Sequence, residues 1–367
     1  MIIMSYQPDL KEIGNLCRQV IDMTIPQTGE SSYNLSFSVE AKEDGLYMVY
    51  YVPSAIELSG SLYQKLTFAI SNNIFPYRTV YPQPAPLVVP MPTDDVHQAR
   101  AWFFPWSVGV PRRLQINDLN EFIKNNSTNG DIWLMDRYKI NVDRLTSIAL
   151  MGLSGSGKTM LAKYLNNYFA FYGTVITVDP KASKDLVWWG RHYKQEVIYP
   201  DNNISKSEFL TKVNDRLSDV LNIVYKRQNT YLESENTAKK HFKPIFITID
   251  ELGALTAGAN KQIKDAFFSL LTSLTLLGRE ANVHMLLISQ TLSNLVLPTQ
   301  VRDQTNVRIL LGSVNSKSSQ YLYPDFDVSS VVIPSGIATG IIQSINNEQV
   351  PAVTPFLAPT FLDNKVK

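Results

Sequence analysis

Gly152-Leu153-Ser154-Gly155-Ser156-Gly157-Lys158-Thr159 follows the apolar run Ser147-Ile-Ala-Leu-Met151 and precedes Met160 to Phe169, whose spacing predicts a helix. A Gly-x-x-x-x-Gly-Lys-Thr loop between a strand and a helix wraps phosphates with inward-pointing backbone N–H groups. Glycine is needed wherever a side chain would block that wrap. In this pattern Lys158 reaches the β- and γ-phosphates, and Thr159 places its hydroxyl on magnesium. A chance match somewhere in a chain of 367 residues is on the order of 1% at average residue usage. The loop therefore predicts an α/β fold.

Downstream, Thr174 to Val178, Pro244 to Ile249, Val283 to Ser289 and Val307 to Gly312 are short, nearly continuous apolar runs separated by helical stretches. Strands covered by helices on both faces read this way. The expected architecture is a RecA-like P-loop NTPase motor with a mostly parallel sheet, preceded by a small α+β domain. Upstream, Asp131 to Asp136 and Tyr138 to Asp143 predict a hairpin leading into the strand at Thr146 to Met151. Residues 1–112 open with a helical stretch, followed by strand-like Tyr33 to Val39 and Leu46 to Val52 and the helix-like Ser61 to Asn73. Six prolines in Pro76 to Pro92 impose extended or looped backbone and mark a boundary region. The expected division is a small domain over 1–112 and a motor over 113–367 with leading and trailing β-hairpins, the latter at Gly340 to Val350.

Two further strand ends carry polar groups suited to nucleotide chemistry. Ile245-Phe-Ile-Thr-Ile249 ends in Asp250-Glu251, where Asp250 can hold the magnesium shell and Glu251 can act as general base on the attacking water. Two solvated acids opening a loop would leave the same trace in sequence. Met285-Leu-Leu-Ile-Ser289 ends in Gln290, which either touches the γ-phosphate or the nucleophilic water, or simply closes a strand, as polar residues often do.

Composition narrows the functional classes. Lys plus Arg total 34 against 33 Asp plus Glu, which excludes a global positive field, so any DNA-binding charge is local. One cysteine, Cys17, cannot form an internal disulfide, and four scattered histidines do not cluster with it as a metal site. No apolar stretch reaches the ~20 residues of a bilayer span, and no basic-then-apolar leader opens the chain, which predicts a cytoplasmic protein.

Taken in order, Gly152 to Thr159, Val178-Asp179-Pro180-Lys181, Ile249-Asp250-Glu251-Leu252 and Gly278-Arg279-Glu-Ala-Asn-Val-His284-Met-Leu-Leu-Ile-Ser-Gln290 resemble motifs of the FtsK/HerA superfamily. That superfamily consists of ring-shaped DNA-pumping ATPases. The likeness is strongest to its FtsK/SpoIIIE branch and to the coupling ATPases of conjugative elements. Thr305-Asn306-Val307-Arg308-Ile309 is similar to the family's Asn and Arg-Ile before its last core strand. The resemblance implies ATP and Mg2+ as cofactors, a homo-hexameric ring, duplex DNA as substrate, and a relaxosome, phage or membrane-bound recruiting partner. It implies that Arg279 is an arginine finger completing the neighbouring subunit's site; a helix-end arginine pairing with carbonyls or Glu280 is the alternative.

Departures from the family pattern bear on the substrate. Thr291 stands where septal translocases commonly carry a basic residue, and the later pore loop, Asn315-Ser-Lys317-Ser-Ser-Gln320, contains one cation, Lys317, as the DNA-contact candidate. The stretch after Val350 leaves no room for a DNA-reading winged helix, so loading at chromosomal signals is not expected. The leading expectation is an ATP-dependent duplex-DNA translocase serving transfer or mobilisation of a plasmid, integrative element or phage. Its alternatives are a protein-translocating secretion-type ATPase and a low-turnover nucleotide switch.

Overall fold

The opening helical pattern forms α1 (Leu10–Thr24), which Asp9 and Glu12 start in a reciprocal capping box. The computed structural model describes residues 6–25, 37–54, 56–201, 203–233, 242–345 and 352–362; part of the strand expected at Tyr33 to Val39 and part of the hairpin expected at Gly340 to Val350 lie outside them. β1 (Phe37–Ala41) and β2 (Gly45–Tyr50) pair antiparallel, and α2 (Gly60–Ile74) follows its Ser59 cap. β3 (Arg78–Val80) and β4 (Leu87–Pro90) each pair with β5 (Arg100–Val108), which also pairs with β2. The proline-rich passage thus lies within this sheet instead of marking a boundary, with Pro90 at a strand end where the missing N–H is tolerated. Ile13, Cys17 and Ile21 of α1, Leu66 and Ile70 of α2, and Phe104 of β5 form one core. Tyr50 is buried in it, and Tyr47 lies 4.7 Å from the Phe103 ring, so these aromatics pack within the sheet.

Beyond residue 112, β6 (Gln115–Ile116) and α3 (Leu119–Asn126) precede the expected hairpin, β7 (Asp131–Met135) with β8 (Tyr138–Asn141). Next come β9 (Ser147–Gly152), α4 (Lys158–Tyr172), β10 (Thr174–Val178), α5 (Lys184–Tyr193), β11 (Glu196–Ile198), α6 (Lys206–Leu232) and β12 (Ile245–Ile249). They are followed by α7 (Leu252–Thr256), α8 (Lys261–Leu277), β13 (Val283–Ser289), α9 (Thr299–Asp303), β14 (Val307–Leu311), α10 (Ser316–Ser319), β15 (Thr339–Ser344), β16 (Val353–Leu357) and β17 (Thr360–Phe361). Seven neighbouring strands of the large sheet run in the order β11-β10-β12-β13-β9-β14-β15. Its pairs are parallel from β11 through β14, and β15 is antiparallel. Every residue of β9, β12 and β13 is buried, the signature of strands covered on both faces.

Contacts group the described residues of Met1–Arg112, Val314–Ser335 and Gln349–Phe356 into one compact unit, and those of Arg113–Ser313, Gly336–Glu348 and Leu357–Lys367 into a second. The expected division holds 113–367 together, whereas the segment carrying α10 groups with the first unit through its long-range contacts. No helix among the described residues is long and apolar enough to cross a membrane.

Candidate nucleotide site

In a parallel sheet every strand delivers its C-terminal end to the same edge. The registers Ser289↔Met151 and Ile249↔Leu287 therefore bring the ends of β9, β12 and β13 together, and with them the P-loop, Asp250-Glu251 and Gln290.

The loop backbone is built around glycine. Gly155 and Gly157 have φ of +78 and +97, conformations that side chains disfavour. A Cβ on Gly157 would lie 2.6 Å from that of Ala338, and one on Gly152 would lie 2.6 Å from the Leu311 carbonyl oxygen. No side chain caps the N-terminus of α4 at Gly157, which leaves its first-turn N–H groups free to meet an anion. Lys158 Nζ donates to the carbonyls of Gly152, 2.5 Å away, and Leu153, 2.9 Å away. Ser156 Oγ is buried and makes no hydrogen bond, a polar atom that a phosphate oxygen would satisfy. Leu153, Ser154 and Gly155 are exposed, while Thr159 is half-buried. These features fit a nucleotide's phosphates.

Beside the loop, Asp250 is 9% exposed. Burial, reinforced by the charges of Asp179 and Glu251 and opposed by Lys181 and Lys158, pushes its carboxyl up to about 6. A carboxylate that its surroundings disfavour as an anion is one that a bound cation would recharge. Among the described residues no cluster of three or more His, Cys, Asp and Glu could hold a metal alone. Magnesium held through one carboxylate, a threonine hydroxyl, waters and phosphates needs no such cluster, so Asp250 and Thr159 fit as its protein contacts.

Glu251 has φ +59 and ψ +70, a left-handed conformation rare for a non-glycine residue and a form of strain found at functional sites. Its Oε1 accepts from Ser289 Oγ at 3.0 Å and Gln290 N at 3.1 Å. Its Oε2 accepts from Lys181 Nζ at 2.9 Å and Gln290 Nε2 at 3.4 Å. Burial alone would raise its carboxyl, but Lys181, the Gln290 N–H and Ser289 together hold it below the usual range. Lys158 is pulled below the usual ammonium range by burial, against the charges of Glu251 and Asp250. Lys181 and Ser289 are the site residues to which the sequence assigned no role; their signal was Asp179-Pro-Lys181 and Ser289-Gln290 at the ends of two buried strands. Asp179 itself is fully buried and accepts from Lys181 N at 3.0 Å and Ser183 Oγ at 2.7 Å, which shapes the turn presenting Lys181.

A buried polar link underlies the site. Asn166 of α4 accepts from Thr248 Oγ1 at 2.6 Å and donates to Thr177 Oγ1 at 3.4 Å. It joins the P-loop helix to the two strands that end in Asp179 and Asp250.

Arg279 is not part of this constellation. It is exposed and precedes the N-terminal end of β13, so the seven residues of Val283–Ser289, roughly 20 Å of strand, separate it from the P-loop edge of its own sheet. Gly278 ends α8 with an ordinary helical φ; glycine is needed because a Cβ would lie 2.7 Å from the Val283 carbonyl oxygen. Arg227 donates to the carbonyls of Ala281 at 2.6 Å and Lys243 at 2.9 Å, bracing the Arg279 turn. His284 is buried, and burial holds it down to about 4, so it is a neutral core residue bonded to Asn282 Oδ1 at 2.7 Å. Asn306 Oδ1 accepts from Thr146 N at 2.9 Å and Ser147 N at 3.1 Å, and its Nδ2 donates to Arg144 O at 2.8 Å, which pins the start of the P-loop strand. Lys317 is exposed on α10, in the first unit; α10 is a single turn capped by Asn315 and Ser318.

No protein-family model matches the chain. The FtsK domain-containing protein YdcQ of Bacillus subtilis (strain 168) is 26% identical over 204 residues, which is 55% of this chain and 42% of that protein; the match thus spans less than half of this curated relative. Among solved structures, the pCW3 conjugation coupling protein TcpA, in a monomer form with ATPγS, superposes with a TM-score of 0.57 at 15% identity over 96% of both chains. EssC (ATPases 2 and 3) from Geobacillus thermodenitrificans gives 0.48 at 12% identity over 70% of this chain and 48% of that one, too low to carry an argument. The likeness to TcpA shows the fold, and the YdcQ match agrees with the FtsK-type resemblance of the motifs.

Proposed function

We propose that this chain, an FtsK-like P-loop ATPase by fold and motif, hydrolyses ATP with magnesium and couples the reaction to movement of duplex DNA. The observation that carries the hydrolytic reading is Glu251. A binding switch has no use for a buried carboxylate in a strained conformation one residue past the magnesium-side aspartate, whereas a hydrolase needs a base there. The P-loop amides and Lys158 bind and orient the phosphates, Thr159 and Asp250 hold the metal's shell, and Glu251 takes the proton of the attacking water. Magnesium supplies charge neutralisation along the phosphates. Gln290 bonds the base and so links its state to β13.

Arg279 lies too far from the catalytic edge to serve its own subunit. Its place in the proposal is the site of a neighbour in a homo-hexameric ring, with a cytoplasmic setting and recruitment by a relaxosome, phage or membrane-bound partner. Lys317 is the assigned DNA contact. DNA as cargo is supported by the motif resemblance and by the fold shared with a conjugation coupling protein. ATP turnover measured with linear duplex DNA, single-stranded DNA and no nucleic acid tests it. Several-fold stimulation by duplex DNA, weakened by salt and by Lys317→Ala, is expected. Turnover indifferent to DNA would remove nucleic acid as the cargo and favour a protein substrate.

A further inference from the structure

A carboxylate has four lone-pair sites, and in this structure all four on Glu251 are taken. Ser289 Oγ and Gln290 N fill those of Oε1, while Lys181 Nζ and Gln290 Nε2 fill those of Oε2. A general base must accept a water proton on one of these sites, so the carboxylate as it stands is occupied. The donors differ in how readily they can leave. Ser289 is buried and Gln290 N belongs to the backbone at the end of β13, so Oε1 is permanently held. The Gln290 amide is long at 3.4 Å and yields at little cost. Lys181 is the strong remaining contact, a charge-assisted bond of 2.9 Å from a side chain 47% exposed to a carboxylate 9% exposed. It is also the one donor on a flexible stem whose charge a phosphate could attract away.

The geometry points to Lys181 as a latch on Glu251: paired, it keeps the base from water; drawn toward the phosphates, it opens Oε2. Lys181 is thus a positioning residue that sets the resting rate, while Lys158, bonded to the P-loop carbonyls, remains the phosphate ligand. The turn supports the assignment, since Asp179 fixes the Lys181 backbone while Ala182 takes φ +50 to turn the chain. This inference rests on the ATPase reading.

Lys181→Met is the test, because it keeps the stem and removes the charge. The latch predicts that basal kcat rises about threefold or more with KM unchanged, a change that a merely structural lysine would not produce. A fall in kcat would make Lys181 a transition-state contact, and an unchanged kcat would make it a bystander; either overturns the latch and leaves the ATPase reading standing. Adding Glu251→Gln to Lys181→Met must abolish the gain; if the gain survives, the role of Glu251 as base fails with it. A second readout needs no nucleotide. Zero-length carbodiimide coupling of the wild-type protein, followed by peptide mass spectrometry, is expected to give a Lys181–Glu251 amide, and its absence would overturn the pairing.

Discussion

Replacing Asp250 by asparagine is expected to stabilise the nucleotide-free protein while removing its response to magnesium and ATP. Its carboxyl is pushed up from 3.8 to about 6, by burial first and then by the charge of Asp179. Between pH ~4 and ~6 the native state therefore holds a proton that the unfolded chain has released, so stability falls as pH rises through that window. That difference corresponds to about 3 kcal/mol at pH 7.5, and asparagine, which does not titrate, escapes it. The unit containing β12 is best followed by amide exchange of Ile245–Ile249 in urea, because a two-unit chain need not unfold in one step. The variant should gain on the order of 2–3 kcal/mol at pH 7.5 and nothing at pH 4. It should also lose the stabilisation that magnesium and ATP give the wild type. A loss of stability at pH 7.5, or a gain of the same size at both pH values, would mean that this carboxylate is not held for a cation at the expense of stability.

Lys158→Ala should abolish hydrolysis and weaken ATP binding, measured by nucleotide titration, because the charge facing the β- and γ-phosphates is lost. Asn306→Ala should lower stability by about 3 kcal/mol, read from denaturant midpoints, because it leaves three main-chain groups at the start of β9 without their partner. Arg279→Ala subunits, which keep an intact P-loop, should regain turnover when mixed with Lys158→Ala subunits, which keep the arginine. A dead mixture of co-assembled proteins, or full activity of Arg279→Ala alone, would dismiss the trans-acting role.

What could be read from sequence was what is local. The P-loop, the strands ending in Asp250-Glu251 and Gln290, and the hairpin before β9 each sit within a few consecutive residues, and burial on both faces left unbroken apolar runs. The contacts that sharpen the site join distant positions. Lys181 meets Glu251 across 70 residues, and Asn166 meets Thr248 across 82, separations that no periodicity encodes. β5 is not legible in the sequence because its Ala-Trp-Phe-Phe-Pro-Trp run lacks alternation and contains Pro105. The grouping of Val314–Ser335 with the first unit likewise follows from long-range packing, which a left-to-right reading assigns to the nearest domain. The position of Arg279 shows the opposite case: its place before a strand was legible, but only the parallel register shows that this is the edge away from the P-loop.

ATP hydrolysis at the shared edge of β9, β12 and β13 with Glu251 as base calls for single-turnover hydrolysis of γ-labelled ATP by the wild type and by Glu251→Gln, each saturated with magnesium and nucleotide. Both proteins should bind ATP while the variant's hydrolytic rate falls ~10²-fold or more. A variant that binds and hydrolyses at the wild-type rate would contradict the role of Glu251 as base.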